Sequence, residues 1–122
     1  MPYILKTDKR REKLRNGEPA LSAGELNYQI FYYVKHNLFA LEDPTDYDIY
    51  YKNIKKFVKQ FLGEKPNYQR YNDMTGCLIR CAIEIERRLN LDINILIDVV
   101  ASYDCEIARY EDKKIKENGD VE

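Results

Sequence analysis

Glu84, Arg87 and Arg88 gather one carboxylate and two guanidiniums within five residues, and Arg109 stands beside the phenol of Tyr110. A guanidinium fork meets a phosphate through two parallel hydrogen bonds, and a nearby ring can stack against its plane. This combination suits the recognition of a small phosphorylated ligand. It carries no bond-breaking chemistry of its own. A structural account competes with it: Glu84 and Arg88 are four apart in the order that favours an ion pair along one helix face, and Glu106 is within reach of Arg109.

Catalytic constellations are missing from the sequence. His36 is the single histidine, so neither a multi-histidine metal centre nor a Ser-His-Asp arrangement can be assembled within one chain. It reads as a helix-surface residue. Cys77 and Cys81 lie one helical turn apart and Cys105 adds only a third thiol; buried free cysteines acting as small hydrophobes are the expectation, with no metal site. No Gly-rich phosphate loop of either familiar spacing occurs, and no cofactor is implied.

Carboxylates are numerous but poorly spaced for shared work. All-helical nucleotide pyrophosphohydrolases bind Mg²⁺ through Glu-x-x-Glu and Glu-x-x-Asp pairs on neighbouring helices. Glu84 and Glu86 point to different sides of their helix, and Asp104, Glu106, Glu111 and Asp112 have the wrong spacing. An enzyme of nucleotide metabolism would need a divergent carboxylate-metal site. That is the alternative to a protein that acts by binding.

The bulk numbers bound the setting. A chain of 122 residues predicts one domain, residues 1–122, with a core of its own. Formal net charge is -1, which gives no global field for nucleic acid or an anionic membrane. No segment is long and apolar enough to span a bilayer and the start lacks a signal-peptide pattern, so a cytoplasmic protein with reduced thiols is expected. The 11 tyrosines reflect an AT-rich coding genome or supply rings for a ligand.

The elements that position these residues are helices, and the expected fold is all-α: a four-helix, mostly antiparallel bundle with a short additional N-terminal helix. Residues 2–5 read as extended. Thr7 or Asp8 caps a short helix through Leu14, ended by Asn16-Gly17. Its segment concentrates Lys6, Lys9, Arg10, Arg11, Lys13 and Arg15. With no aromatic residue interleaved, it reads as a solvated face before an anion-binding arm. Ser22-Ala23-Gly24-Glu25 is a capping box opening a helix to about Leu41, with Leu26, Ile30, Tyr33, Val34, Leu38 and Leu41 inward.

Thr45 and Asp48 start the next helix, which buries Tyr50, Ile54, Phe57, Val58 and Phe61 and closes at Gly63. A third runs from about Tyr68 to Leu89, with Asn90 in the left-handed closing position. Met74, Leu78, Cys81, Ile85 and Leu89 form its main stripe, while Ile79 and Ile83 fall on nearly the opposite side. An apolar second face means a central helix or contact with another subunit, so a homo-oligomer is anticipated. Asp92 caps one last, long helix with Ile93, Leu96, Val100, Tyr103, Ile107 and Tyr110 inward, stopped by Asn118-Gly119.

Three segments carry a resemblance: Met1-Pro2-Tyr3-Ile4, Gly24-Glu25-Leu26-Asn27-Tyr28, and the tail Tyr110-Glu111-Asp112-Lys113-Lys114-Ile115-Lys116-Glu117-Asn118-Gly119-Asp120-Val121. They resemble an uncharacterised family of small phage and prophage proteins with an MPYI start, a GELNY segment and a YEDxKIxENGDV tail. Gly76, Leu78, Glu84, Arg87 and Arg88 also match that family's helix motif. Its first glutamate and its lysine are replaced near Ile79 and Ala82, and its final tyrosine is Glu122. Extra residues around 35–60 and 89–108 separate the matching pieces, which cover about a third of the chain.

The resemblance implies a phage setting inside a bacterial host and supplies no activity to transfer. It suggests host takeover or counter-defence, by sequestering a small nucleotide signal or by blocking a host protein. Among polar residues fitting the motifs, Glu25 completes a cap, Glu84 can pair with Arg88 and Tyr110 packs. Asn27 and Arg87 have no such local role, and with Tyr28, Glu84, Arg88, Arg109 and Tyr110 they form the expected ligand-binding set.

Overall fold

The computed structural model describes residues 9–37, 47–90 and 95–120. They form α1 (Lys9–Arg15), α2 (Ala23–Asn37), α3 (Tyr47–Leu62), α4 (Tyr68–Leu89), α5 (Ile95–Ala101) and α6 (Asp104–Asn118), an all-α bundle with no strand among the described residues. The extended start, the Thr7, Asp8, Thr45 and Asp92 caps, and Leu38, Leu41 and Ile93 lie outside the described residues.

α4 is the central helix, packed against α2, α3, α5 and α6, while α1 leans on α2. The cause is its periodicity: Met74, Leu78, Cys81 and Ile85 are fully buried along one stripe. Leu26, Ile30 and Val34 of α2, Ile54 and Val58 of α3, and Leu96 and Val99 of α5 meet them, all at 0% exposure. Each such side chain stabilises the fold by about 1.5–3 kcal/mol relative to an exposed one. Leu89 is only partly buried, and Ile79 and Ile83 are exposed as the second face requires.

Caps set the helix boundaries. Asn67 accepts from the Arg70 amide at 2.8 Å and opens α4, while Asn90 closes it at φ 53°, ψ 39°. Gly63 ends α3 at φ 79°, a left-handed backbone that a side chain would strain. The capping box at α2 differs from the expected form. Ser22 Oγ accepts from the Glu25 amide at 3.2 Å, but the Glu25 carboxylate returns to the amide of Leu21 rather than that of Ser22. That carboxylate is also gripped from both oxygens by Arg10, at 3.0 and 2.9 Å.

The single closing helix is overturned: α5 and α6 are separate. The Ser102 hydroxyl donates to the Val99 carbonyl at 2.6 Å, and the Ser102 and Tyr103 amides make short-range bonds to Val99 and Val100. Serine competing for backbone carbonyls tightens and ends a turn. The chain then restarts, with Tyr103 and Tyr110 brought against Tyr71 at ring separations of 6.1 and 5.7 Å. α6 consequently buries no residue fully, and Val100, Tyr103, Ile107 and Tyr110 are half-buried against the core. The Tyr47 hydroxyl donates to Asp98, joining α3 to α5.

Candidate functional site

A buried glutamine sets the position of α1. Gln29, 2% exposed, donates from Nε2 to the carbonyls of Leu14 and Glu18, both at 2.9 Å. These are carbonyls at and beyond the C-terminal end of α1, where intrahelical donors run out; the Leu14 carbonyl also accepts from the Gly17 amide at 3.1 Å. Arg10 locks the other side of the corner through Glu25, Glu18 and the Pro19 carbonyl. The first helix is therefore pinned across α2, with its remaining arginines turned toward the α2 surface.

Those arginines stack on rings. Arg11 Cζ lies 5.1 Å from the centre of the Tyr28 ring, and Arg15 Cζ lies 4.9 Å from that of Tyr32. Arg15 Nε donates to the Tyr28 hydroxyl at 2.8 Å. Tyr28, Tyr32 and His36 recur every four residues along α2, with ring separations of 6.1 and 4.2 Å. Stacking of this kind fixes the orientation of the guanidinium plane against the ring. Lys9, Lys13 and Arg15 are exposed, as a solvated face requires, while Arg10 and Arg11 are half-buried; the rings that Arg11 and Arg15 meet come from α2 and not from the segment itself.

Between α1, α2 and α4 lies a cleft of about 350 Å³. Arg11, Arg15, Lys35 and Arg88 supply four cations, Tyr28, Phe31, Tyr32 and His36 supply rings, and Asn27 and Glu84 complete the lining. Four cations against one carboxylate make a locally positive site on a chain whose net charge is -1. Asn27 is 5% exposed and Glu84 6% exposed. Arg88 lies with Cζ 4.6 Å from the Phe31 ring centre, so it serves as a wall of this cleft.

Of the seven residues expected from the sequence, Asn27, Tyr28, Glu84 and Arg88 converge here. Arg87 is exposed and does not line this cleft. Arg109 and Tyr110 line a second depression of about 280 Å³ with Tyr71, Glu106 and Lys113. There the Tyr110 hydroxyl donates to the Pro66 carbonyl at 2.8 Å, so its polar atom is engaged in holding α6 to the α3–α4 turn. Arg11, Arg15, Phe31, Tyr32, Lys35 and His36 escaped the sequence reading. The signal was present as two rows of four-residue spacing, Arg11/Arg15 and Tyr28/Tyr32/His36.

Two of the three thiols are buried as expected, whereas Cys105 is exposed. Cys77 and Cys81 are free and buried, and their Sγ atoms face the carbonyls of Ala23 and Asn27. Burial pushes the Cys77 thiol up to about 12, and burial with the neighbouring Cys77 and Glu84 pushes Cys81 well above its ordinary range. Neutral thiols of this kind are poor nucleophiles and poor metal ligands. Among the described residues, no three histidine, cysteine, aspartate or glutamate side chains gather closely enough to hold a metal ion. No described helix is long and apolar enough to cross a membrane. Compared with protein-family models, curated proteins and solved structures, the chain matches none.

Proposed function

We propose that this chain is a non-enzymatic binding protein that holds a small nucleotide in the α1–α2–α4 cleft. The observation that carries the ligand class is the stack of Arg11 and Arg15 on Tyr28 and Tyr32 in a cleft that buried Asn27 and Glu84 also line. Oriented guanidiniums favour phosphate, ring faces favour a base, and buried polar groups favour a hydrogen-bonding edge. The resemblance to phage and prophage proteins gives the biological setting: sequestration of a nucleotide signal inside the bacterial host, as counter-defence. In this reading the protein works in the host cytoplasm without a cofactor, and Ile79 and Ile83, 43% and 48% exposed, are the candidate surface for a second copy.

Blocking of a host protein is the competing form of binding. It needs a continuous exposed apolar patch with a polar rim. The enzyme alternative needs three or four carboxylates converging in one cavity, and the described residues supply no such group.

Native mass spectrometry of the protein purified from a bacterial host, under gentle desalting, tests the proposal. A retained mass of a few hundred daltons, lost in Arg15→Ala and kept in Arg87→Ala, is the expected result. A clean oligomer with no added mass contradicts sequestration of a host nucleotide and redirects the search to a protein target. The same spectrum reports whether the chain is a homo-oligomer.

A further inference from the structure

We infer that the nucleotide's buried end is a base bearing an exocyclic amino group, received by Asn27 and Glu84. This rests on the nucleotide reading above and narrows it. The cleft is polarised: four cations favour the ligand's phosphate, whereas the Glu84 carboxylate repels it from its own position. What meets Glu84 must therefore be a hydrogen-bond donor. An ionised carboxylate accepts only, so a base presenting a carbonyl there leaves two acceptors opposed.

Asn27 sharpens the choice. Its carboxamide has no hydrogen-bond partner among the described residues, although the residue is 95% buried and lines the cleft; the Cys81 thiol faces its backbone carbonyl and leaves the side chain unused. A carboxamide presents an acceptor beside a donor. An amino group next to a ring acceptor, as in adenine or cytosine, complements it. The amino group of guanine beside its ring N–H gives an equivalent donor row for the two side chains. In each case one amino N–H reaches Glu84 and the neighbouring edge reaches Asn27. A volume of about 350 Å³ lies at the small end of ligand pockets, matching one nucleotide unit.

Inosine and uridine monophosphates are the discriminating probes. IMP keeps the purine ring and phosphate of AMP and GMP and lacks the amino group of either; UMP stands in the same relation to CMP. Calorimetric titration of the full chain is expected to show at least one amino-bearing nucleotide binding about ten-fold or more tightly than its amino-free counterpart. Glu84→Gln, which can donate to a base carbonyl, should narrow that gap, with circular dichroism confirming an unchanged fold.

Equal affinity for all five nucleotides, or tighter binding of IMP or UMP, overturns the inference and leaves the nucleotide reading intact. A gap that survives Glu84→Gln unchanged removes Glu84 from base recognition and also overturns it. Binding of none of the five removes the nucleotide reading, and the inference with it.

Discussion

Arg15 touches two successive tyrosines of α2 in different ways: its Nε donates to the Tyr28 hydroxyl at 2.8 Å, and its plane lies 4.9 Å from the Tyr32 ring centre. One contact fixes direction and the other fixes depth. The guanidinium therefore stands at the mouth of the cleft already ordered, and less freedom is lost when a phosphate arrives. Tyr28→Phe keeps the ring and removes the acceptor. We expect a few-fold loss of nucleotide affinity, with little change in thermal stability because the bond is exposed. Titration calorimetry and a melting curve on the same sample check both parts.

The Gln29 clamp predicts a stability effect that propagates to the site. In Gln29→Leu the Glu18 carbonyl loses the Gln29 donor, and the Leu14 carbonyl is left with the Gly17 amide at 3.1 Å. The variant also removes Gln29 Oε1, a buried oxygen with no hydrogen-bond partner among the described residues, which offsets part of the cost. A net destabilisation of about 1–3 kcal/mol follows, read from the urea midpoint at unchanged slope. Amide exchange should accelerate most in α1, since Gln29 holds that helix against α2.

Acid should loosen the same corner. Hydrogen bonds from Arg10 hold the Glu25 carboxyl below its ordinary range, with the Leu21 amide adding to the effect and partial burial opposing it. A carboxylate whose folded value is lowered stabilises the fold above the unfolded value, and that contribution is lost as pH falls through the folded one. Melting temperature should therefore drop as pH falls below about 4.3, the unperturbed glutamate value. Glu25→Gln should be less stable at neutral pH and show a flatter acid limb. An acid limb identical to that of the parent chain would assign the loss to other carboxylates.

Thiol labelling reports on the core. Cys77 and Cys81 are buried and held in the neutral form, whereas Cys105 is exposed. Iodoacetamide at pH 8 should modify one cysteine in the native chain and three in urea, as counted by intact mass. Rapid labelling of all three under native conditions would contradict the packing of α2 against α4.

Much of the fold was legible because periodicity and caps act locally. The stripe Met74-Leu78-Cys81-Ile85 announced the central helix, and Gly63 and Asn90 announced the ends of α3 and α4. The α5–α6 break was not, since hydrophobic spacing continues through it and the interruption comes from the Ser102 hydroxyl on Val99. Four of the ten lining residues were visible: Asn27, Tyr28, Glu84 and Arg88. The cationic half was hidden because Arg11 and Arg15 meet their rings only after Gln29 docks α1 through main-chain carbonyls. Side chain to backbone bonds of that range leave no mark on residue spacing. Arg87 failed for a simpler reason: one step along a helix turns a side chain by about 100°, away from the face that carries Arg88.

The most direct test of the account is the side-chain amide resonance of Asn27 in a ¹⁵N-labelled sample titrated with the nucleotides that bind. Saturable shifts of the Asn27 carboxamide and of the Tyr28 and Tyr32 rings, absent in Arg15→Ala, are the predicted result. Shifts confined to Tyr71, Arg109 and Tyr110, or none at all, would contradict a nucleotide site between α1, α2 and α4.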